Sequence, residues 1–268
     1  MSDRIRSACR ATLTIIVLGV IYELIARSGY FPPVLMPTLG KIGSTLLAGL
    51  LDGSILTHVA ATMYRVMSGM ALAIVVGLPL GILMGRFKPV ENFVMPLASA
   101  LMPIPSLAWV PVFILWFGLG NTVAILIVFY ASLFPMLLNV WAGVRAVNPI
   151  WLRAAGAMGA DEKALFWKVM VPGCSPFIIT GLRQAFLRAW IAVIGAEFLA
   201  ASDFGLGWVI FDAKEFLNAD VMMASLVVIG AIGFAFERLV FGSIERATVQ
   251  RWGMVRLCLL YTSDAADE

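Results

Sequence analysis

The chain is short of the residues that most chemistry needs. It has one histidine, three cysteines and only 13% charged side chains in 268 residues. Cys9, Cys174 and Cys258 are odd in number, far apart and free of any CxxC spacing, which excludes a disulfide scaffold and a structural zinc site. The lone histidine, His58, lies before the second apolar run, so no Ser-His pair can form inside the apolar segments. Gly205-Leu206-Gly207-Trp208 lacks the aspartate of an intramembrane aspartyl motif. Without these groups or ligand-spaced His, Cys and carboxylate clusters, the sequence points to no metal site and no intramembrane enzyme. Gly40-Lys41 has no upstream glycine and is followed by Ile42, so the chain carries no GxxxxGK[ST] phosphate loop.

Scarcity of charge says more. Soluble chains carry about 25% charged residues. The net charge of +3 is too small and too scattered to suggest nucleic acid as a partner. What fills the chain instead is apolar: 61% of residues, with a mean hydropathy of +0.95. Such a chain cannot cover itself with polar surface, so its solvent must be largely lipid. The expected fold class is all-α, a polytopic membrane helical bundle.

A spanning helix needs about 20 mostly apolar residues. Residues 66–85 form an uncharged run of 20, and 92–144 carry no charge over 53 residues. The longer run suits two crossings, 94–117 and 122–141, divided by a turn at Gly118-Leu119-Gly120-Asn121. Weaker candidates at 11–26, 176–200 and 221–241 bring the expected total to six. Residues 11–26 share a basic start and short apolar core with a cleaved signal peptide. No small-x-small cleavage site follows them, and they are read as a span.

Lys and Arg set the orientation. With the N-terminus inside, the inner segments hold thirteen: Arg4, Arg6, Arg10, Arg86, Lys88, Arg145, Arg153, Lys163, Lys168, Arg183, Arg246, Arg251 and Arg256. The outer loops hold two, Lys41 and Lys214. Both termini are therefore expected in the cytoplasm. No tandem repeat is evident. Residues 1–253 read as a single membrane domain, and 254–268, which turn abruptly acidic, as a non-native or unstructured tail.

Three features stand out within the spans. Gly69, Ala73, Gly77, Gly81 and Gly85 recur every fourth residue, forming one ridge along the second span. Small residues in that register let helix backbones approach closely in lipid. The partner is expected to be a helix of the same chain, with a dimer seam as the other reading. The third span carries Pro96, Pro103, Pro105 and Pro111, each without a backbone donor. Broken backbone at membrane depth must be buried in protein or line a cavity, so Pro103, Pro105 and Pro111 are candidates for the wall of a translocation path. Glu197 joins them as an intramembrane carboxylate, with interfacial and structural roles weighed beside it. Arg188 lies nine residues away, on the opposite helix face. It cannot pair with Glu197 and is expected to snorkel to the inner surface. Glu237 and Arg238 read as anchors at the inner end of the last span.

The longest inner loop, 142–175, holds the most specific signal. Asn148-Pro149 is a strong helix start. The Ala-rich helix that follows, 149–158, should stop at Gly159. Asp161 should cap a second helix, 162–171, ended by Pro172, and Ser175-Pro176 should open the fifth span. The product is a helix–turn–helix whose small alanine face and exposed Phe166 and Trp167 suit docking to another protein.

Ala154-Ala155, three residues on Gly159, and nine further on Val169-Met170-Val171-Pro172 match a known spacing. It resembles the cytoplasmic Glu-Ala-Ala signature of binding-protein-dependent ABC importer permeases. Arg153 stands where the signature has Glu, and valines occupy its two aliphatic positions. Flanking text resembles the nitrate, sulfonate and taurine group of these permeases: Phe31-Pro32-Pro33, Pro103-Ile104-Pro105-Ser106-Leu107-Ala108-Trp109-Val110-Pro111, Leu115-Trp116-Phe117-Gly118-Leu119-Gly120, Gly181-Leu182-Arg183 and Ala196-Glu197. The resemblance covers the chain to about Trp252 and makes 1–253 a permease domain. It implies that the loop is a coupling helix seated on a separate cytoplasmic ATPase, with Arg153, Ala154, Ala155, Gly159, Asp161, Glu162, Phe166 and Pro172 as docking residues. It implies a second permease copy, an external solute-binding protein, a small anionic solute, the bacterial inner membrane as location, and ATP bound by the partner alone. A carrier or channel independent of ATP is the alternative.

Overall fold

The computed structural model describes residues 2–200 and 203–244, and of 2–9, 11 and 12 the backbone alone. Trp252, Arg246, Arg251, Arg256 and the tail 254–268 lie outside the described residues. Among the described residues there is no strand, and the elements run in order as follows: α1 (Ser2–Arg27), α2 (Leu39–Leu51), α3 (Ser54–Arg86), α4 (Lys88–Leu101), a 3-10 turn (Ser106–Trp109), α5 (Val110–Phe117), α6 (Asn121–Ala146), α7 (Pro149–Ala157), α8 (Glu162–Ala164), α9 (Val171–Ala200), α10 (Leu206–Glu215) and α11 (Ala219–Ala235). Contacts divide the chain into two compact units, residues 1–62 with 203–230, and 63–202 with 231–268.

Four continuous helices are long and apolar enough to cross a bilayer: Ser54–Arg86, Asn121–Ala146, Glu162–Ala200 and Ala219–Ile244. A fifth crossing exists if Lys88–Leu101 and Ser106–Phe117 count as one, and they meet at a bend of 85°. The expected count of six is not reached among the described residues. The single third span expected over 94–117 is broken, because Pro103 and Pro105 cannot donate to the preceding turn. The break is satisfied locally: the Ile104 N–H donates to Leu101 O at 3.0 Å, and the Tyr130 hydroxyl donates to the same carbonyl at 2.6 Å. The expected turn before α6 is present, with Gly118 at φ 73° and Gly120 at φ 136°, a region that favours glycine.

In the smaller unit, α1 and α2 are joined by polar contacts at the chain reversal. The Glu23 carboxylate accepts from Leu39 N at 2.7 Å, and the Tyr22 hydroxyl donates to Pro37 O at 2.8 Å. At the start of α10, Gly205 N donates to His58 Nδ1 at 3.1 Å and Leu206 N to the Thr62 hydroxyl at 2.9 Å. His58 thus caps backbone and stacks on Trp208.

The larger unit is organised around α6. The small-residue ridge of α3 faces it: a Cβ on Gly69 would lie 2.5 Å from Val128 Cγ1, and one on Gly85 2.6 Å from Val144. At Gly81 it would meet the Leu137 carbonyl oxygen at 2.8 Å, and Gly77 sits against Leu133 and Met136. Ala73 is buried. The ridge is an intramolecular seam, not a free face. On its other side α6 packs along α9, where Gly143 abuts Phe177 and Gly181 abuts Asn139. The Ser132 hydroxyl donates to Ala185 O at 3.3 Å.

Beneath these contacts lies a buried ion pair. Arg65 Nη1 donates to Glu197 Oε1 at 2.6 Å, with the two side chains 3% and 0% exposed. Arg65 Nε donates to Asn121 Oδ1 at 2.8 Å. One guanidinium therefore ties α3, α6 and α9 together.

Two stability outcomes follow from this packing. Gly81→Ala pushes a methyl against backbone that cannot swing aside, an overpacking cost of about 1–3 kcal/mol. Gly40→Ala, where a Cβ meets nothing, should be neutral or slightly stabilising. Thermal unfolding in detergent, followed by tryptophan fluorescence, distinguishes the two. Glu197→Gln leaves a buried guanidinium without its counter-charge and is expected to cost about 3–5 kcal/mol. Replacing Arg65 with Met and Glu197 with Leu together should recover most of that loss. Equal losses in single and double variants would show that the pair is not what holds the three helices.

Candidate functional site

The loop begins as expected. Asn148 Oδ1 accepts from Ile150 N at 2.9 Å, with Pro149 at the first helical position of α7. Gly159 adopts φ +84° after the helix ends, a left-handed conformation that glycine takes without strain. Ala160 N donates back to Ala155 O at 3.0 Å, closing the turn. Asp161 Oδ1 then accepts from Ala164 N at 2.9 Å and caps α8.

Beyond Asp161 the structure departs from expectation. No helix ends at Pro172 and none opens at Pro176; the chain is helical without interruption from Glu162 to Ala200, 39 residues. The stretch Leu165–Met170 is π-helical. Its wider winding, Val171 N reaching Phe166 O, brings the chain to a proline that cannot donate to the turn before it. Pro176 leaves the Pro172 carbonyl without its helical donor, and the Ser175 hydroxyl donates to that oxygen at 2.8 Å. Ser175 is therefore an internal repair rather than a cap.

Arg153, Ala154, Gly159, Asp161 and Glu162 are exposed, and Ala155 and Pro172 are half-buried. Phe166, expected exposed, is half-buried edge-to-face against Trp167, because the continuous helix turns it toward its neighbours. Trp151, Met158 and Trp167 are exposed, Met158 at 88%. Glu162 pairs with Arg86 at 2.9 Å and Arg145 with Glu91 at 2.7 Å. Both pairs are open to solvent and contribute little to stability, but they fix which helix ends adjoin the loop.

The second element of the site is a cavity of about 640 Å³. Pro103 and Pro105 form one wall, joined by Ser106, by Tyr130 and Asn139 of α6, and by Gln184 and Arg188 of α9. Asn139 Nδ2 donates to Gln184 Oε1 at 3.1 Å. The structure separates the four path candidates. Pro103 and Pro105 line the cavity. Pro111 does not; it sits in the first turn of α5, where its missing N–H has no helical partner to lose. Glu197 does not either, because its carboxylate is spent on Arg65. Arg188, expected to snorkel to the inner surface, is on the cavity wall. Asn139, Gln184 and Tyr130 were not singled out from the sequence; polar side chains inside apolar runs were the signal that could have found them.

A helical bundle broken at prolines around a polar-edged cavity, with a capped helix–turn–helix at one end, defines a polytopic membrane transport component. The chain belongs to the family described as binding-protein-dependent transport system inner membrane component, whose profile matches residues 77–252. It is 39% identical to a Methanocaldococcus jannaschii protein assigned as an ABC transporter permease, over 82% of this chain and 83% of that one. It is 34% identical to the taurine transport system permease protein TauC of Escherichia coli, over 84% and 83%. Among solved structures, the inward facing MetNI methionine ABC transporter aligns with a TM-score of 0.64 at 20% identity, covering 72% of this chain and 95% of that one. That likeness is one of fold.

Cysteines at positions 103 and 105 should react with aqueous thiol reagents in membrane vesicles, whereas one replacing buried Val128 should not. Inertness at both cavity positions, in every nucleotide state, would remove the cavity from the transport path.

Proposed function

We propose that this chain is the permease subunit of an ATP-driven importer for a small anion of the taurine or sulfonate type. Two copies form the pathway, an external binding protein delivers the solute, and a separate ATPase binds and hydrolyses the nucleotide. Both termini lie in the cytoplasm. The chain performs no catalysis of its own and needs no cofactor. The observation that carries this reading is the exposed loop between α6 and α9, with its glycine-terminated helix and four outward-facing large apolar side chains, Ile150, Trp151, Met158 and Trp167. Exposed apolar surface of this kind marks a protein partner. The sequence carries no GxxxxGK[ST] phosphate loop, which supports placing the ATP on that partner. TauC supports the solute class.

Rigid-body movement of the ATPase against the loop would bias the bundle between two states, ordinary two-state coupling. Arg153, Ala154, Ala155, Asp161 and Glu162 serve as the contact surface, with Gly159 as its turn.

Reconstitution in liposomes tests the proposal. With its co-purifying ATPase, a binding protein and ATP, the chain should accumulate labelled taurine; alone it should not. Uphill accumulation by the chain alone would refute the reading. Gly159→Phe projects bulk from a position where a Cβ meets nothing of this chain. It should lower ATP-driven uptake by about tenfold or more, about 1.4 kcal/mol of coupling, without lowering the amount inserted. Gly159→Asn, which tolerates the left-handed conformation, should lose far less. Normal uptake in the Phe variant would count against docking at this turn.

A further inference from the structure

Arg188 differs from the other arginines of the larger unit's membrane-spanning helices. Arg65 is paired with Glu197, Arg86 with Glu162, Arg145 with Glu91 and Arg183 with Glu237, and Arg238 lies over the ring of Phe234. Among the described residues Arg188 has neither a hydrogen-bond partner nor a carboxylate. It stands five residues, roughly 7.5 Å of helix rise, beyond the Arg183–Glu237 pair, on the wall of the cavity bounded by Pro103 and Pro105. An unpaired guanidinium in a membrane span is costly against lipid, and such residues face a bundle interior or an aqueous cavity. Around it the same wall supplies the Ser106 hydroxyl and the side-chain amides of Asn139 and Gln184. The Asn139 amide already donates to Gln184 Oε1, which leaves the Gln184 –NH2 as a donor toward the space.

We propose that Arg188 is an anion-binding residue of the translocation path, and that the cavity takes a small oxyanion on its guanidinium. A single fixed positive charge matches a monoanion. The planar fork of N–H donors suits the oxygens of a sulfonate, a carboxylate or a nitrate. The rings of Pro103 and Pro105 on the same lining are apolar and bring no charge that would compete with the anion. Binding there is by one charge and a few neutral donors, enough to draw the anion in and weak enough to let it leave. This deepens the proposed function and rests on its assignment of the cavity to the path.

The test uses the full chain with Cys9, Cys174 and Cys258 replaced by alanine and Ser106→Cys introduced. Membrane vesicles are treated with a methanethiosulfonate bearing a sulfonate and, separately, with one bearing a quaternary ammonium. Each rate is divided by that reagent's rate with free 2-mercaptoethanol. The sulfonate reagent should be favoured by about tenfold, the effect of one nearby charge in a partly aqueous site. Arg188→Gln should bring the ratio to within about twofold of unity, while Arg188→Lys keeps the preference. The ammonium reagent should still react in the Gln variant, showing that the cavity is intact. A ratio unchanged in Arg188→Gln, or a thiol at position 106 inert to both reagents, would overturn the proposal. The two readings fail separately. Charge preference that follows position 188, in a chain that accumulates no taurine with its ATPase, would sink the taurine importer and uphold the arginine site.

Discussion

How closely α3 and α9 can approach α6 decides the rest of the molecule. Lipid chains are as apolar as leucine, so the hydrophobic effect does not press these helices together. What holds them is dispersion across short distances, and only small residues allow such distances. Gly69, Gly77, Gly81 and Gly85 provide them on one side of α6, and Gly143 and Gly181 on the other. The consequence reaches the site. Tyr130 and Asn139 stand on α6, and Gln184 and Arg188 on α9. The cavity wall has its shape because those two helices are held backbone to backbone.

Close packing alone does not choose a register, and the Arg65–Glu197 pair supplies that choice. Its two charges can be buried only where they meet, and Asn121 at the start of α6 accepts the second guanidinium bond. An alternative register would strand a charge in the interior, at a cost far above that of a mispacked methyl. The pair is better understood as a specificity device than as a source of net stability. That also explains why Glu197, the one buried carboxylate among the described residues, takes no part in the cavity.

The ridge, the inward-facing prolines, the capped loop and the turn before α6 were all legible in the sequence, because each is a local pattern with a local cause. Spacing by four identifies a helix face, and Asn-Pro, Gly and Asp mark helix ends, whatever lies elsewhere in the chain. The failures share the opposite property. Glu197 finds Arg65 132 residues away, a distance over which no local pattern runs, and Arg188 was assigned to snorkelling because its neighbours on α6 could not be seen. Pro172 looked like a helix end because a proline usually is one. The six-residue π-helical stretch before it, which carries the helix across, has no composition of its own to announce it. The third span was expected as one crossing with broken backbone and proved to be two helices meeting at an 85° bend. Two prolines one residue apart remove two helical bonds within a single turn instead of one.

The continuity of Glu162–Ala200 changes how the loop can act. Two separate helices hinged at Pro172 would absorb a push at the docking surface in the hinge. One helix transmits it. Arg188 lies 26 residues from Glu162 along this element, about 39 Å at 1.5 Å per residue. Within the proposed importer, a displacement imposed at the loop therefore reaches the cavity wall through a single piece of secondary structure. The π-helical stretch is the place where such a helix can change its winding, since one more or one fewer residue per turn rotates everything beyond it. A rotation of that kind would swing Arg188 relative to the Pro103–Pro105 wall, which is anchored separately through the Tyr130 bond to Leu101. In the proposed importer, the Pro103–Pro105 wall and the α9 helix would be the two surfaces between which an anion is held in one state and released in the other.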